Sequence, residues 1–502
     1  MKFKTALYLS HRWLGIGMCL LIAMWFATGM VMMYVSFPEL SKQERYAGLA
    51  NLNPERIVFS SSALLASAPQ DALLERLVLS SVGTRPIYLL KLEGQAWRGM
   101  YADSGLPLTD FSAAAATASA LHFYQLQHPG QRVQAKHLRT LEMDQWTVSS
   151  GLSDHRPLHL VSFDDPASTQ LYVSSRTGQV VRDTTRRERL WNWVGANLHW
   201  IYPLQLRQHT NLWVNVIITL SLIGLLTIIS GGVIGFLRLR FKRRYRGKSI
   251  TPYRGIYKYH HVLGLASLVF LTTFMFSGLM SMSPWGLFDA RSSFTEQLLR
   301  YQLNDESERS EPVYSTIAEL QYMLGQDQNI ATKEMTWHWI AGESHVSLNS
   351  TEQPSRHVLT GAEGRALEGT SLEGKIQQRI SSLIPNAEIL SQHRLEEYDS
   401  YYYSHHERFR PLPILRVKFS DQESTWFHID LLTGQILSRL TYKNRVGRWL
   451  YNGLHSLDFA VLINNRPVWD LLLLTLCSIG LVFSVTSLVL GWGRLRKRIK
   501  AI

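Results

Sequence analysis

Cysteine is almost missing from this chain of 502 residues, and the two present, Cys19 and Cys477, both lie inside apolar runs. That excludes a disulfide framework, a thiolate set for an iron–sulfur cluster and a C-x-x-C-H motif for covalent haem attachment. Acidic residues are missing from the three segments in which the basic excess is concentrated. Lys2, Lys4 and Arg12 form one such group; Arg238, Arg240, Lys242, Arg243, Arg244, Arg246, Lys248, Arg254 and Lys258 form a second; Arg494, Arg496, Lys497, Arg498 and Lys500 form the third. These 17 bases are set against no Asp or Glu, and the other 35 Lys and Arg face 39 acids. A net charge of +13 would suit a nucleic-acid binder, but here the excess flanks apolar runs, where the positive-inside rule accounts for it. The segment 238–259 is also too short for a nucleotide-binding βαβ unit and has no G-x-G-x-x-G.

Four apolar runs, residues 14–35, 212–237, 262–281 and 468–489, have the length needed to cross a hydrocarbon core of about 30 Å. Apart from Asp470 near the start of the fourth, they carry no Asp, Glu, Lys or Arg, which counts against a transported ion or polar substrate. The chain reads as a polytopic membrane protein with both termini and the middle basic segment in the cytoplasm. The first run exits through Tyr34-Val35-Ser36-Phe37-Pro38, without a small-x-small cleavage signal, so it reads as an uncleaved anchor.

The chain repeats itself. Residues 189–240 (RLWNWVGANLHW…LWVNV…GFLRLR) recur at 445–496 (RVGRWLYNGLHS…VWDLL…GWGRLR) with a constant offset of 256, which carries His199 onto His455. The openings HRWLG from His11 and HHVLG from His260 correspond at an offset of 249, which also carries Gly15 onto Gly264 and Gly29 onto Gly278. Each half thus keeps one histidine at either side of the membrane. A two-fold arrangement would oppose His11 with His260 and His199 with His455, as two bis-imidazole haem sites require. His261 competes with His260, being one residue and about 100° of helix away. His209 becomes Asn465 in the second half and reads as interfacial or supporting. Any such haem is b-type, two per chain, with no open iron position for oxygen or substrate, which favours electron transfer. The blander reading is interfacial histidines that merely snorkel, with glycines (also Gly17) that let helices pack closely. The methionines of the outward runs, Met18, Met24, Met30, Met32, Met33, Met275, Met280 and Met282, read as packing rather than axial ligands.

The predicted layout is 1–36, N-terminus and first span; 37–190, first insert; 191–237, interfacial helix and second span; 238–259, basic loop; 260–283, third span; 284–446, second insert; 447–493, interfacial helix and fourth span; and 494–502, basic tail. The inserts repeat as well. Phe163, Ser168-Thr169 and Thr177-Gly178-Gln179-Val180 map onto Phe419, Ser424-Thr425 and Thr433-Gly434-Gln435-Ile436. Strands at 170–174 and 426–430 lead into Thr-Gly turns. Further strands are expected in 85–102 and 334–359, with helices at 110–127, 315–325 and 372–384, giving two external α+β lobes. In the second insert Asp399, Tyr401, Tyr402, Tyr403, His405, His406 and Glu407 form a donor-rich cluster. Asp399, Tyr403, His405 and His406 are the substrate candidates, opposed by the plainer reading of a Tyr-rich packed strand. Asp144, Trp146, Asp154 and His155 stand at the corresponding place in the first.

The H-R-W-L-G and H-H-V-L-G openings, the L-H before each return span and the W-F-H-I-D-L-L-T-G-Q-I-L strand resemble the PepSY-associated transmembrane family, which includes inner-membrane ferric-siderophore reductases. The resemblance implies an α-helical membrane protein with four spans, internally duplicated, and two periplasmic α+β PepSY-like lobes. It implies a di-haem cytochrome of the inner membrane that delivers electrons to a periplasmic ferric siderophore or other ferric chelate. The donor, a cytoplasmic reductase or membrane quinol, is then a separate partner. Two other classes stand beside it: a non-redox scaffold whose lobes bind or inhibit a periplasmic partner such as a peptidase, and a transporter. A scaffold needs no fourfold histidine pattern.

Overall fold

The computed structural model describes residues 2–66, 74–109, 111–241, 249–288, 294–302, 317–326, 331–351, 357–360, 369–404 and 409–499. The chain divides into two compact units. One gathers 1–37, 190–290 and 443–502, and the other gathers 38–189 and 291–442.

The first unit is helical because its sequence is apolar and free of charge over long stretches. Three helices are long and apolar enough to cross a membrane: Phe3–Met32, Thr210–Arg238 and Arg466–Lys497. The stretch expected to form the third span is two helices, Ile256–Ala266 and Leu268–Ser281, bent by 65°. The break falls at Ser267, which is fully buried and whose hydroxyl donates to the Leu263 carbonyl at 2.5 Å. Such a back-bond loosens the helical ladder, but Thr28, Thr227, Thr272 and Ser484 make it in helices that run on, so the hydroxyl alone does not set the bend. Met18, the offset counterpart of Ser267, has no hydroxyl, and the first helix runs unbroken from Lys2 to Met32. Met18, Ile22, Phe26, Ile228, Leu271, Met275 and Cys477 make the apolar core between these helices. Met18 and Met275 are therefore packing residues, as the sequence suggested.

The second unit is α+β. Its strands are β1 (Leu74–Val82), β2 (Arg85–Leu92), β3 (Arg98–Tyr101), β4 (Ala135–Leu141), β5 (Leu158–Phe163), β6 (Gln170–Ser174) and β7 (Val180–Thr184) from the first insert. The second insert supplies β8 (Glu334–Ile340), β9 (Glu343–Asn349), β10 (His357–Thr360), β11 (Ile389–Leu395), β12 (Ile414–Phe419), β13 (Trp426–Asp430) and β14 (Ile436–Leu440). Two four-stranded antiparallel sheets have the same order, β4-β5-β6-β7 and β11-β12-β13-β14. Register follows the offset of 256: Leu160 faces Tyr172 as Arg416 faces His428. The Thr-Gly turns close both hairpins with Gly178 at φ 65° and Gly434 at φ 67°, a left-handed conformation that glycine adopts without steric cost. Helix Ala113–Gln127 covers the first of these sheets; it begins after Ser112, whose side chain accepts from the Ala115 amide, rather than at residue 110. Helix Gly369–Arg379 runs into the turn Ile380–Leu383 against the second.

The expected α+β character is present, but the inserts are not closed off from each other. β1 pairs with β8 at Val78↔Thr336 and Leu79↔Met335, making one six-stranded sheet in the order β10-β9-β8-β1-β2-β3. Leu77, Leu79, Tyr88 and Leu90 of the first insert share a core with Met335, Trp337, Val346 and Leu348 of the second. At about 1.5–3 kcal/mol for each large apolar side chain buried, this shared core is reason enough for the two inserts to close into one unit.

Candidate functional site: two facing histidine pairs

The four histidines singled out by the repeat come together two by two. His11 and His260 have ring centroids 6.5 Å apart with planes at 39°, and His199 and His455 are 6.2 Å apart at 71°. Two imidazoles sharing a metal through nitrogen bonds of about 2.0 Å, each nitrogen about 1.1 Å from its ring centre, place their centroids about 6.2 Å apart. Both pairs match that spacing, and rotation about the shared axis leaves the interplanar angle free.

Each ring has its Nδ1 committed to the helices behind it. His11 Nδ1 lies 3.1 Å from the Thr227 carbonyl and 3.2 Å from the Ser230 hydroxyl. His260 Nδ1 lies 3.1 Å from the Thr486 hydroxyl and 3.3 Å from that of Ser487. His199 Nδ1 is 3.0 Å from the Thr28 hydroxyl, and His455 Nδ1 is 3.0 Å from the Ser277 hydroxyl and 3.3 Å from the Phe274 carbonyl. Donation from Nδ1–H fixes the tautomer and leaves the Nε2 lone pair as the donor, the usual arrangement behind a metal-bound histidine. Burial pushes His199 down to about 3, with the His455 imidazole adding to it, and burial lowers His455 too. Both are then neutral at pH 7, the form that binds metal.

The His199 and His455 backbones are pinned as well. Trp25 Nε1–H donates to the His199 carbonyl at 2.9 Å. Trp213 donates to the Trp200 carbonyl at 2.9 Å and Trp469 to the Ser456 carbonyl at 2.8 Å, in each case the residue after the histidine. Ahead of each histidine the interfacial helix expected from sequence is an α-helix that widens into a π-helical turn, Trp193–Asn197 and Trp449–Gly453. Such turns are uncommon and gather at functional sites.

Glycine gives the rings room. It does so at Gly231, where a Cβ would lie only 2.6 Å from His11 Cε1, whereas at Gly29 and Gly278 a Cβ would make ordinary contacts with His199 and His455 Cε1, at 3.5 and 3.7 Å. Gly15, one turn beyond His11, has nothing within 4 Å of a built Cβ, which leaves open space on that face of the helix; Gly17 is equally open but lies on another face. At Gly264 the Phe483 ring fills the space and stacks on His260 at 5.0 Å. Gly231→Ala should push His11 off its position and weaken occupancy of that pair by roughly tenfold or more, measured as bound group per chain.

The remaining candidates lie elsewhere. His261 is buried with both nitrogens taken, Nδ1 by the Thr251 hydroxyl at 2.8 Å and Nε2 by the Gly235 carbonyl at 2.9 Å, so His260 is the member that faces His11. His209 is exposed beside Gln208 and joins neither pair. Asp399 is not open to a substrate. It is bidentate to Arg416 at 2.5 and 2.9 Å and accepts from the Tyr401 and Tyr402 amides. Tyr403 is half-buried beside it in the chain; His405, His406 and Glu407 lie outside the described residues. Asp144 accepts from the Tyr172 hydroxyl at 2.7 Å, Asp154 pairs with Lys91 at 2.7 Å, and His155 stacks on Trp97 at 5.8 Å. These are packing and ion-pair roles. Among the described residues no group of three or more His, Cys, Asp or Glu could hold a bare metal ion.

The hydroxyls behind the rings were missed in the sequence although the repeat carries them: the offset of 249 takes Thr28 to Ser277, and that of 256 takes Ser230 to Thr486.

The fold and site define a membrane protein whose apolar helices frame two pairs of opposed imidazoles and whose inserts form an antiparallel α+β unit. Residues 8–342 match the family described as the PepSY-associated TM region, and the protein belongs to that family. The match ends in the turn after β8, so the T-G-Q-I-L strand of the second half lies beyond it. No curated protein matches the chain.

Proposed function

We propose that the protein is a di-haem b-type reductase of the cell inner membrane that passes electrons to a periplasmic ferric siderophore or other ferric chelate. It would have four spans, the bent pair counting as one, in an internally duplicated arrangement with cytoplasmic termini and a periplasmic α+β unit. The basic segments beside the spans support that orientation. The observation that carries the reading is the two imidazole pairs at metal-sharing distance. Thr28, which holds His199, stands 17 residues along the first helix from His11. That is about 25 Å of helix, most of the roughly 30 Å core that a single centre could not bridge.

His11 with His260, and His199 with His455, would hold the two haems. Haem bound there would supply one-electron chemistry. The protein's part is to keep the four imidazoles aimed, through Thr28, Ser277, Ser230 and Thr486, and to insulate the path with apolar side chains. Electrons would come from a separate donor, a cytoplasmic reductase or quinol, because the chain has no nucleotide-binding motif in its basic loop.

The test is the visible spectrum of the detergent-solubilised protein, oxidised and dithionite-reduced, with a pyridine haemochrome count. About two low-spin b haems per chain are expected from bis-histidine ligation. Protein expressed with ample haem that binds none would end this reading. His261→Ala should retain both haems while His260→Ala loses one, because only His260 faces His11.

A further inference from the structure

The His199 side of the outer pair carries a structure that its repeat partner lacks. Directly after His199 the chain turns through Ile201 at φ 51°, a left-handed conformation that is costly for a β-branched residue. The turn stacks Trp200 and Tyr202 at 5.2 Å. Phe37 lies 6.0 Å from Trp200 and 6.2 Å from Tyr202, and Trp213 lies 5.1 Å from Tyr202. Arg207 sits over two of these rings, 5.3 Å from Tyr202 and 4.9 Å from Trp213. Its Nη1 donates to the Thr210 hydroxyl, and among the described residues no carboxylate pairs with it. All five side chains are half-buried.

The same backbone turn occurs in the second half, with Leu457 at φ 53°, but there it sits beside the ring pair Trp449 and Phe459 at 5.9 Å, and Arg448, over Trp449 at 4.2 Å, donates to the Asp458 carbonyl. At the offset of 256, Trp200, Tyr202 and Arg207 become Ser456, Asp458 and Ile463; at 249, Phe37 becomes Gly286. Trp213 alone keeps its type, as Trp469. The arginine over Trp469, Arg466, is paired with Asp470 at 3.3 Å. Aromatic side chains and an arginine flank the turn in both halves, as a belt at the membrane surface would have them, but the second half has no counterpart of the Trp200, Tyr202 and Phe37 rings. Holding His199 does not require them either, since His455 is held without them. What the first half adds is a contiguous wall of flat rings topped by a guanidinium that no carboxylate pairs with among the described residues, one residue from a histidine of the outer pair.

We infer that Phe37, Trp200, Tyr202, Arg207 and Trp213 form a binding platform for an anionic, arene-bearing metal chelate. This makes the outer pair one-sided, with the acceptor engaging the His199 half. Rings take the arene by stacking, and Arg207 takes the negative charge while already polarised over Tyr202 and Trp213. A neutral chelate without an arene would gain neither contact. The inference rests on the proposed reduction of a ferric chelate and specifies which chemistry of chelate it takes and where.

Gallium(III) tris(2,3-dihydroxybenzoate), which is anionic, aromatic and redox-inert, serves as the probe, with gallium(III) tris(acetohydroxamate) as the neutral comparison. Binding to the full-length, haem-loaded protein in detergent is followed by calorimetry, and haem is counted on the same samples. The aromatic chelate should bind saturably, and the neutral one at least tenfold more weakly. Arg207→Gln and Trp200→Leu should each weaken the aromatic chelate by roughly tenfold, the scale of one lost cation–π or stacking contact. Arg207→Lys should restore most of the affinity, and Phe459→Leu in the other half should change nothing. Equal binding by all variants, or no saturable binding by protein holding its haems, would overturn the platform and leave a membrane-surface belt, with the proposed reductase still standing. Saturable, Arg207-dependent binding by protein that holds no haem would keep the platform and remove the reductase.

Discussion

Alanine at His199 or at His455 should produce the same protein: one that keeps one b haem of about two and loses the other. Alanine at His11 or His260 should give a second, different species, again with one haem left. The expectation of two classes from four substitutions comes from the pairing, since each ring faces one partner at 6.5 or 6.2 Å and the pairs are held by different hydroxyls. A non-covalent haem that loses one of two axial nitrogens has no thioether link to retain it, because the chain lacks the cysteines. Haem per chain and the reduced-minus-oxidised spectrum of each variant measure the outcome. If His199→Ala and His455→Ala retained different haems, the facing-pair arrangement would be wrong. Thr28→Val is the gentler version. It leaves His199 Nδ1 without its hydroxyl, and by analogy with other supporting partners it should weaken that haem roughly 10- to 100-fold.

The reason these four histidines were legible in the sequence is that a repeat converts residue type into geometry. One histidine near a span says little, but two at a fixed offset on structures of one shape must be related by whatever symmetry relates the halves. The same offset would have exposed the supporting hydroxyls, had it been applied to serine and threonine as well as to histidine. Other features carry no such signal. Choosing between His260 and His261 depends on how far the third helix is rotated, and that rotation is set by its neighbours, with Gly235 and Thr251 capturing His261. The bend at Ser267 appears as one serine in an apolar run. Asp399 looked available because its partner, Arg416, lies 17 residues on, in β12. The β1–β8 pairing joins residues about 256 apart, and no periodicity in either strand announces which edge it will meet.

Glu334 shows what that cross-insert pairing costs and gains. It begins β8, is fully buried, and forms ion pairs with Arg45 and Arg76 of the first insert, the second at 3.4 Å. Burial alone would raise its carboxyl; the two guanidinium groups overcome this and hold it below the ordinary glutamate range. Nearby, Lys333 donates to the Leu49 carbonyl at 2.7 Å, so the start of β8 is fastened to the first insert through charge as well as through the sheet. Glu334→Gln keeps the shape and removes the charge, leaving Arg45 and Arg76 over a neutral amide. The buried carboxylate goes and the two guanidinium groups left behind reach solvent, so the loss is that of a hydrogen bond to a charged group, about 1.5–3 kcal/mol, read by denaturant unfolding of the α+β unit followed by its tryptophans. The sign with pH follows from the lowered carboxyl. Its contribution is complete above the usual glutamate range and disappears as pH falls through the depressed folded-state value, so wild type and Glu334→Gln should converge in acid and diverge towards neutrality. A variant within 1 kcal/mol of wild type at pH 7 would mean that the shared apolar core, with Leu79 and Met335 at its centre, holds the two inserts together without help from charge.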